Sequence, residues 1–402
     1  MNRSTLYIRN GGPAGPAAGN KVAVVGGGLA GLAAATLLAA ERRWEVTVFE
    51  KNEVFGGRAA EGPGEGEHCT RLLLPDYDAT RQLLARVPGA RGHTTVADSI
   101  TPVRRMEWGP RGEWIEIDHL NRFRASGLSL RDRWTMYRRG KEKPLVAAAH
   151  GPNLNVFGSW RQYSIASAAT MIRQAWRTDR VYAFPGSTDH FLVAPLRRHL
   201  QEQNVRLNTN HEITRLSFTD QGDDVYDAVV LALFPSDLGV VLDSSRIAHR
   251  LPASLRHSHC KVLTVELDGR EQVLADSLPQ LYCRAGIAIL VQPAASRCVV
   301  LCTKSVSTDD AYVLELVRLF LLLQHGFGRV RVRDNLAPGA AVWSATMPKA
   351  AKVLAGGPAG VSLAGSWLAS GYPYDSAESA IRSAQLAVEE LNRAVRNRLT
   401  TP

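Results

Sequence analysis

The sequence predicts an α/β protein whose parallel sheet is assembled from segments far apart in the 402-residue chain. Three largely apolar runs carry this prediction, at residues 22–25, 227–233 and 361–364. Uninterrupted apolar runs of this length are typical of parallel strands that are buried on both faces. Each run ends at a glycine or just before a Phe-Pro pair, as expected where a strand gives way to a turn.

The first run leads into a glycine-rich turn. Gly26, Gly28 and Gly31 form the pattern GxGxxG, and an Ala/Leu-rich helix follows. In this pattern Gly26 allows a tight turn, Gly28 lets a pyrophosphate approach the main chain, and Gly31 lets the helix pack closely on the strand. The helix N-terminus, with Leu29 and Ala30, offers free N–H groups to phosphates. The turn therefore predicts a dinucleotide site.

A second strand, residues 46–49, ends at Glu50. An acid at this position accepts hydrogen bonds from ribose hydroxyls. A carboxylate there also disfavours a 2′-phosphate, so NADP is a poor candidate for the ligand.

Residues 50–58, EKNEVFGGR, resemble the flavin amine oxidase and phytoene desaturase superfamily, in which E-K-x(4)-G-G-R follows the second strand. The resemblance implies FAD as the cofactor, with Glu50 at the adenosine ribose and Lys51 in the same cofactor-binding segment. It also implies that Gly57 and Arg58 pass close to the pyrophosphate and the flavin. The main chain at Ile213 would bind the adenine.

The C-terminal segment resembles the closing motif of carotenoid desaturases and hydroxysqualene dehydroxylases. A strand ends at Gly365 and Ser366, a loop holds Pro373, and a long helix opens near Ser376 and Ala377. The resemblance implies that the start of this helix stabilises negative charge on the reduced flavin. Ser366 departs from the family, which usually has Asp there.

These motifs predict a discontinuous Rossmann-like FAD-binding domain, formed by residues 21–75, 180–240 and 340–395. An inserted α+β substrate-binding domain would comprise residues 76–179 and 241–339. The Gly/Pro/Ala-rich residues 1–20 are predicted to be a flexible tail.

The predicted function is hydride transfer to flavin N5 from a C–H bond of a mainly apolar small molecule, such as an isoprenoid or another natural product. The stretch 68–80, with His68 and Tyr77, resembles hydroxysqualene dehydroxylases. The alternative is an amine or amino-acid oxidase, because the strand around Lys261 resembles one whose lysine reaches flavin N5 through a water. A strand-edge lysine at the surface explains Lys261 equally well. A third hypothesis, based on Ser366, is a non-catalytic flavin-binding scaffold.

Charge and cysteine content limit the possible binding partners, metal or disulfide sites and cellular location. The net charge is +10, and residues 122–143 hold eight basic and two acidic residues. This basic segment predicts either a solvated helix face or peripheral contact with anionic lipid, whereas no motif indicates nucleic-acid binding. Five cysteines without CxxC spacing favour reduced thiols over a metal site or a disulfide framework. No signal peptide or membrane span is predicted, so we expect a cytoplasmic location.

Overall fold

The computed structural model describes residues 2–12, 19–61, 66–90, 92–108, 114–116, 181–222, 224–252, 255, 260–267, 278–284, 287–303, 310–321, 327–335, 347–354, 357–372 and 375–400. The strands in these ranges are β1 (Asn2–Arg9), β2 (Asn20–Val25), β3 (Trp44–Phe49), β4 (Thr101–Trp108), β5 (Trp114–Glu116), β6 (Val181–Ala183), β7 (Arg206–Asn208), β8 (His211–Thr219), β9 (Val225–Tyr226), β10 (Ala228–Leu231), β11 (Cys260–Leu267), β12 (Gln280–Arg284), β13 (Ile287–Gln292), β14 (Arg297–Thr303), β15 (Phe327–Asn335) and β16 (Val361–Leu363). The α-helices are α1 (Leu29–Ala39), α2 (Asp78–Leu84), α3 (Ala194–Glu202), α4 (Pro235–Ser244), α5 (Asp310–Leu321), α6 (Ala350–Val353) and α7 (Ala377–Thr400).

Five parallel strands form the central sheet, in the order β16-β10-β2-β3-β7. Its strands come from three separate parts of the chain, as the apolar runs predict. Both faces are covered: Val22 and Val24 pack with α1 and α7, whereas Ala23 and Val25 pack against the opposite layer. The predicted α/β fold with a discontinuous Rossmann-like domain is confirmed.

A smaller sheet, β8-β1-β9, and helix α4 cover the second face of the central sheet. Residues 1–20 were expected to form a flexible tail, and for residues 2–9 this expectation is wrong. They form β1, which pairs in parallel with β8 and buries Leu6 and Ile8. The sequence prediction missed this strand because it rested on the Gly/Pro/Ala-rich composition of residues 1–20 as a whole, and not on the alternation of apolar and polar side chains within residues 2–9.

The inserted sheet has the order β15-β11-β14-β13-β12-β4-β5, with β6 paired to β4. In β11, Leu263 and Val265 pack with Val313 and Val317 of α5. The alternate residue Val262 belongs to a separate apolar cluster on the other face of the sheet. This sheet forms the core of the inserted domain.

Two elements pack with the domain other than the one predicted for them. Strand β6 belongs to the inserted sheet because it pairs with β4. Helix α2, predicted in the substrate domain, instead donates hydrogen bonds from its first N–H groups to Glu378 in α7.

No helix in the described ranges combines the length and the hydropathy that crossing a membrane requires. The basic segment 122–143, on which the prediction of lipid contact depends, lies outside the described residues.

Candidate functional site

A cavity of about 380 Å³ lies where the N-terminal and C-terminal parts of the Rossmann-like domain meet. This volume is within the range of small-molecule sites. Most of the predicted cofactor-binding residues line it: Gly26, Gly28, Leu29, Ala30, Glu50, Lys51, Gly57, Arg58, Ile213, Gly365, Ser366, Ser376 and Ala377.

The glycine turn gives each of its three glycines a different steric task. At Gly26, φ is +106° and a Cβ atom would lie 2.4 Å from the carbonyl oxygen of Ala232. At Gly31, a Cβ atom would lie 1.9 Å from the carbonyl oxygen of Gly26, so this residue serves packing and does not line the cavity. At Gly28, a Cβ atom would have only the Gly57 Cα within reach, at 4.0 Å. The space beside Gly28 is therefore an open cradle that a side chain would fill.

Helix α1 begins directly at this cradle. Its N-cap is Gly28, no side chain caps the helix, and its first turn contains no acidic residue. The N–H groups of a first turn have no partner within the helix, and they carry the positive end of the helix dipole. The turn and the helix together fit a pyrophosphate.

Glu50 is held in place through both oxygens of its carboxylate. Its Oε2 accepts a hydrogen bond from the Gly27 N–H at 2.7 Å, and its Oε1 accepts from the main-chain N–H and Nδ2 of Asn52, both at 2.8 Å. The side chain is only 5% exposed but lines the cavity. Each carboxylate oxygen has two lone pairs, so acceptor capacity remains for ribose hydroxyls.

Beyond Glu50 the cavity is bounded by β8 and α4. Ile213, Phe234 and Val241 line this part. Lys51 also lines the cavity, but its ammonium forms an ion pair with Asp237, to which Nζ donates at 2.8 Å. The apolar contacts suit a flat aromatic base such as adenine.

Arg58 joins the two ends of the chain at the other side of the glycine turn. Its guanidinium donates to both carboxylate oxygens of Asp375, at 2.6 and 2.9 Å, and to Ser366 Oγ at 2.6 Å. Burial alone would lower the pKa of Arg58, but the ion pair with Asp375 raises the pKa above its usual value. Asp375 was not among the predicted site residues; its place just before the predicted start of the C-terminal helix was the available signal.

The start of α7 forms the adjacent wall. Ser376 is the N-cap: its Oγ accepts from the Ser379 N–H at 3.1 Å, and Ser379 Oγ accepts from the Ser376 N–H at 2.8 Å. Ser376 and Ala377 line the cavity. Pro373, also predicted to contact the cofactor, lies outside the described residues.

The segment after β3 and before α2 closes the far end of the cavity, with His68, Cys69, Arg71 and Tyr77 among its lining residues. Burial, and then the charges of Arg58, Arg71 and Arg333, hold the pKa of His68 well below its usual 6.5. His68 is therefore neutral at pH 7.

Lys261 is not brought to this cavity. It lies on β11 at an alternation position shared with Leu263 and Val265, the residues that pack with helix α5. Since successive side chains of a strand point to opposite faces, Lys261 belongs to the α5 face of the inserted sheet.

Comparison with known proteins identifies the N-terminal motif. The family of NAD(P)-binding Rossmann-like domains matches residues 24–87. The tRNA 5-methylaminomethyl-2-thiouridine biosynthesis bifunctional protein MnmC of Pseudomonas aeruginosa is 41% identical over 88 residues. That match covers 19% of this chain and only 13% of the length of the relative.

Solved structures match over nearly the whole chain. An oxidoreductase from Methanosarcina mazei has a TM-score of 0.63 at 15% identity, covering 92% of this chain and 100% of its own. Cyclohexylamine oxidase from Brevibacterium oxydans has a TM-score of 0.55 at 13% identity, covering 94% of this chain and 99% of its own. The chain shares the fold of these oxidoreductases. At such low identity the likeness concerns the fold alone, and the glycine turn lies within the region of the family match.

Proposed function

We propose that this protein is an FAD-dependent oxidoreductase that transfers a hydride to flavin N5 from a C–H bond of a mainly apolar small molecule, such as an isoprenoid or another natural product. One observation carries the proposal. The glycine turn after β2 and the first turn of α7 line the same cavity, and Arg58 links them through Ser366 and Asp375.

FAD is favoured over a nicotinamide cofactor by the extent of this site. A Rossmann-like turn and a ribose-binding acid serve either dinucleotide. The cavity continues past them to Gly57 and Arg58, and then to the N-terminus of α7. This continuation corresponds to the E-K-x(4)-G-G-R and C-terminal motifs of the flavin-dependent superfamily that the sequence resembles.

Bound FAD would supply the two-electron acceptor. The protein's own residues then have to hold the cofactor and the substrate and keep water out. The N–H groups at the start of α1 would hold the pyrophosphate, and Glu50 the adenosine ribose. The N-terminus of α7 provides a positive potential for the negative charge that develops on hydride transfer. Leu72, Leu74 and Tyr77 form an apolar wall suited to an apolar substrate.

The amine or amino-acid oxidase hypothesis rested on Lys261, which does not line the cavity. It also rested on the shared FAD-binding domain and stays the alternative, because the fold likeness to cyclohexylamine oxidase at 13% identity does not decide between the two. The hypothesis of a non-catalytic scaffold rested on Ser366. The Arg58 guanidinium donates hydrogen bonds both to Ser366 Oγ and to Asp375. The cytoplasmic location remains a prediction.

The cofactor assignment is tested with the variant Gly28→Ala. The main chain at Gly28 has φ −71°, which alanine adopts without strain, and its methyl group would enter the open cradle. We expect normal folding, with FAD affinity reduced by about tenfold or more because the pyrophosphate loses close approach to the main chain. Titration of the flavin-free protein with FAD, followed by flavin fluorescence, measures this change.

The matched control is Gly239→Ala in α4, where the added Cβ would make an ordinary 3.4 Å contact with Leu251. This variant should bind FAD as tightly as the parent protein. Wild-type protein that takes up no FAD would overturn the proposal. For the reaction, loaded protein is mixed anaerobically with isoprenoids or with primary amines, and bleaching of the flavin by amines alone would favour the alternative.

A further inference from the structure

The cavity contains a guanidinium, that of Arg71, that has no carboxylate partner within the described part of the chain. Its Nη2 donates to the main-chain oxygen of Arg58 at 2.8 Å. Its Nε is buried without a hydrogen-bond partner. Arg58, which lines the same cavity, is by contrast neutralised by Asp375 at 2.6 Å.

Arg71 lies close to other basic side chains of the site. His68 experiences the charges of Arg58, Arg71 and Arg333, all of which act to keep its imidazole neutral. Asp375 offsets the charge of Arg58. An anion entering this end of the cavity would therefore gain electrostatic energy in a largely buried setting.

The main chain at Arg71 is also strained. Its φ angle is +42°, in the left-handed region that residues other than glycine rarely adopt. Such strain is concentrated at ligand clamps and active sites, where the fold imposes it to position a group. The strained main chain and the unsatisfied Nε are two separate unfavourable features at one cavity-lining residue.

We propose that Arg71 binds a carboxylate of the substrate, so that the substrate is a small molecule with an apolar body and one carboxylate. This inference rests on the proposed function and narrows its substrate class. The planar guanidinium suits a carboxylate, because it can donate two parallel hydrogen bonds to the two carboxylate oxygens. Leu72, Leu74, Tyr77 and Val181 line the same end of the cavity and would contact the apolar body.

The alternative partner for Arg71 is the pyrophosphate of the cofactor. The pyrophosphate is proposed to bind at the start of α1, at Gly28, Leu29 and Ala30. Arg71 instead adjoins the inserted domain, because Leu73 exchanges two main-chain hydrogen bonds with Tyr182 of β6, at 2.8 and 2.9 Å. This location favours contact with the substrate.

The test uses the flavin-loaded, full-length protein and a series of straight-chain carboxylates from acetate to decanoate, with the matching uncharged amides. Binding is followed by the change in the visible spectrum of the flavin. We expect at least one carboxylate to bind better than its amide. Arg71→Gln should weaken that carboxylate by about tenfold or more without changing the affinity of the amide. Arg71→Lys should retain part of the difference.

The matched control is Arg86→Gln, at an exposed position after α2, which should behave as the parent protein. Equal binding of carboxylates by wild type and Arg71→Gln, or no spectral change with any carboxylate, would overturn the inference while leaving the cofactor proposal intact. Loss of FAD itself from Arg71→Gln would assign Arg71 to the pyrophosphate and also overturn it. Wild-type protein without flavin would overturn both proposals.

Discussion

His68 is a buried imidazole surrounded by arginines, and this makes the stability of the protein dependent on pH. In the folded state its pKa lies well below the usual 6.5, because of burial first and neighbouring positive charge second. In the unfolded chain it gains a proton as the pH falls through about 6.5. The unfolded state then binds more protons, so this residue's contribution to stability is lost as the pH falls from 6.5 towards the folded pKa.

Replacing His68 with Gln removes this proton uptake. We expect the free energy of unfolding to fall less steeply between pH 7 and pH 5 than in the parent protein, by up to about 1.4 kcal/mol per pH unit. Urea unfolding at a series of pH values measures the slope. His68→Asn is a second non-titrating variant and should give the same slope, whatever its stability at pH 7. Slopes identical to that of the parent would rule out a depressed pKa at His68.

Single residues were predictable where a short motif fixes their task. Gly28, Glu50 and Ser376 belong to local patterns whose geometry follows from neighbouring residues. Asp375 and Arg71 acquire their roles from contacts with Arg58 across the fold. No local spacing reports such contacts, which explains why neither residue was singled out from the sequence.

Glu378, fully buried at the start of α7, shows how one helix is capped by another. Its carboxylate accepts hydrogen bonds from the N–H groups of Ala79 and Thr80 at 3.1 and 2.9 Å, from Thr80 Oγ1 at 2.8 Å, and from Arg382 Nε at 2.6 Å. Helix α2 has no side-chain cap of its own. The position of α2, and of Tyr77 before it, therefore depends on α7.

We expect Glu378→Gln to lower the free energy of unfolding by about 3 kcal/mol, because a buried charge that accepts four hydrogen bonds becomes a neutral amide that accepts fewer. Urea unfolding provides the measurement. Glu389→Gln, at an exposed position of the same helix, should change stability by less than about 0.5 kcal/mol. A similarly small effect at Glu378 would contradict the capping role.

Most secondary-structure elements near the glycine turn follow from the sequence pattern, but two segments did not. The helical spacing of apolar residues over 189–203 predicts one helix, although Pro195 fits only a first turn. These residues form a π-helical turn at Asp189–Val193 followed by α3, with Pro195 in its first turn, where a proline is tolerated. Strand β1 was missed because its pairing partner, β8, lies about 200 residues away along the chain, with Asn2 opposite His211.

A buried charge network joins the Rossmann-like domain to the inserted sheet. Arg297 of β14 contacts Glu61 at 2.5 Å and Glu67 at 2.7 Å, and Arg331 of β15 contacts the other oxygen of Glu61 at 2.7 Å. Burial would raise the pKa of Glu61, but the two arginines outweigh it and lower the pKa. The network fixes Glu61 and Glu67, which lie between the Gly57–Arg58 turn and His68 in the chain.

Arg297→Gln should lower the free energy of unfolding at pH 7 by about 3–5 kcal/mol, since it leaves two buried carboxylates without their main partner. The loss should be smaller near pH 4.5, where protonation of Glu61 can remove its uncompensated charge. Thermal unfolding at both pH values tests the difference. Arg318→Gln, which breaks an exposed pair with Glu315, should have little effect at either pH. An equal loss at both pH values would argue against the electrostatic explanation.

The division of the chain was predictable in outline because buried parallel strands leave apolar runs. Its exact assignment was not, since β6 and α2 are placed by partners from the other domain. The charge network was also invisible in the sequence, where Glu61, Glu67 and Arg297 read as ordinary surface residues. Charged side chains are seldom fully buried, so sequence alone assigns them to the surface.

Arg58 from the N-terminal part of the chain contacts Ser366 and Asp375 from the C-terminal part, and this has a consequence for the order in which the cavity forms during synthesis. During translation the glycine turn leaves the ribosome long before Ser366 and Asp375 are made, and nascent domains fold as they emerge. The wall contributed by α7 is absent until then, so the coenzyme pocket is completed late. If the proposed function holds, FAD is expected to bind only after α7 has been synthesised.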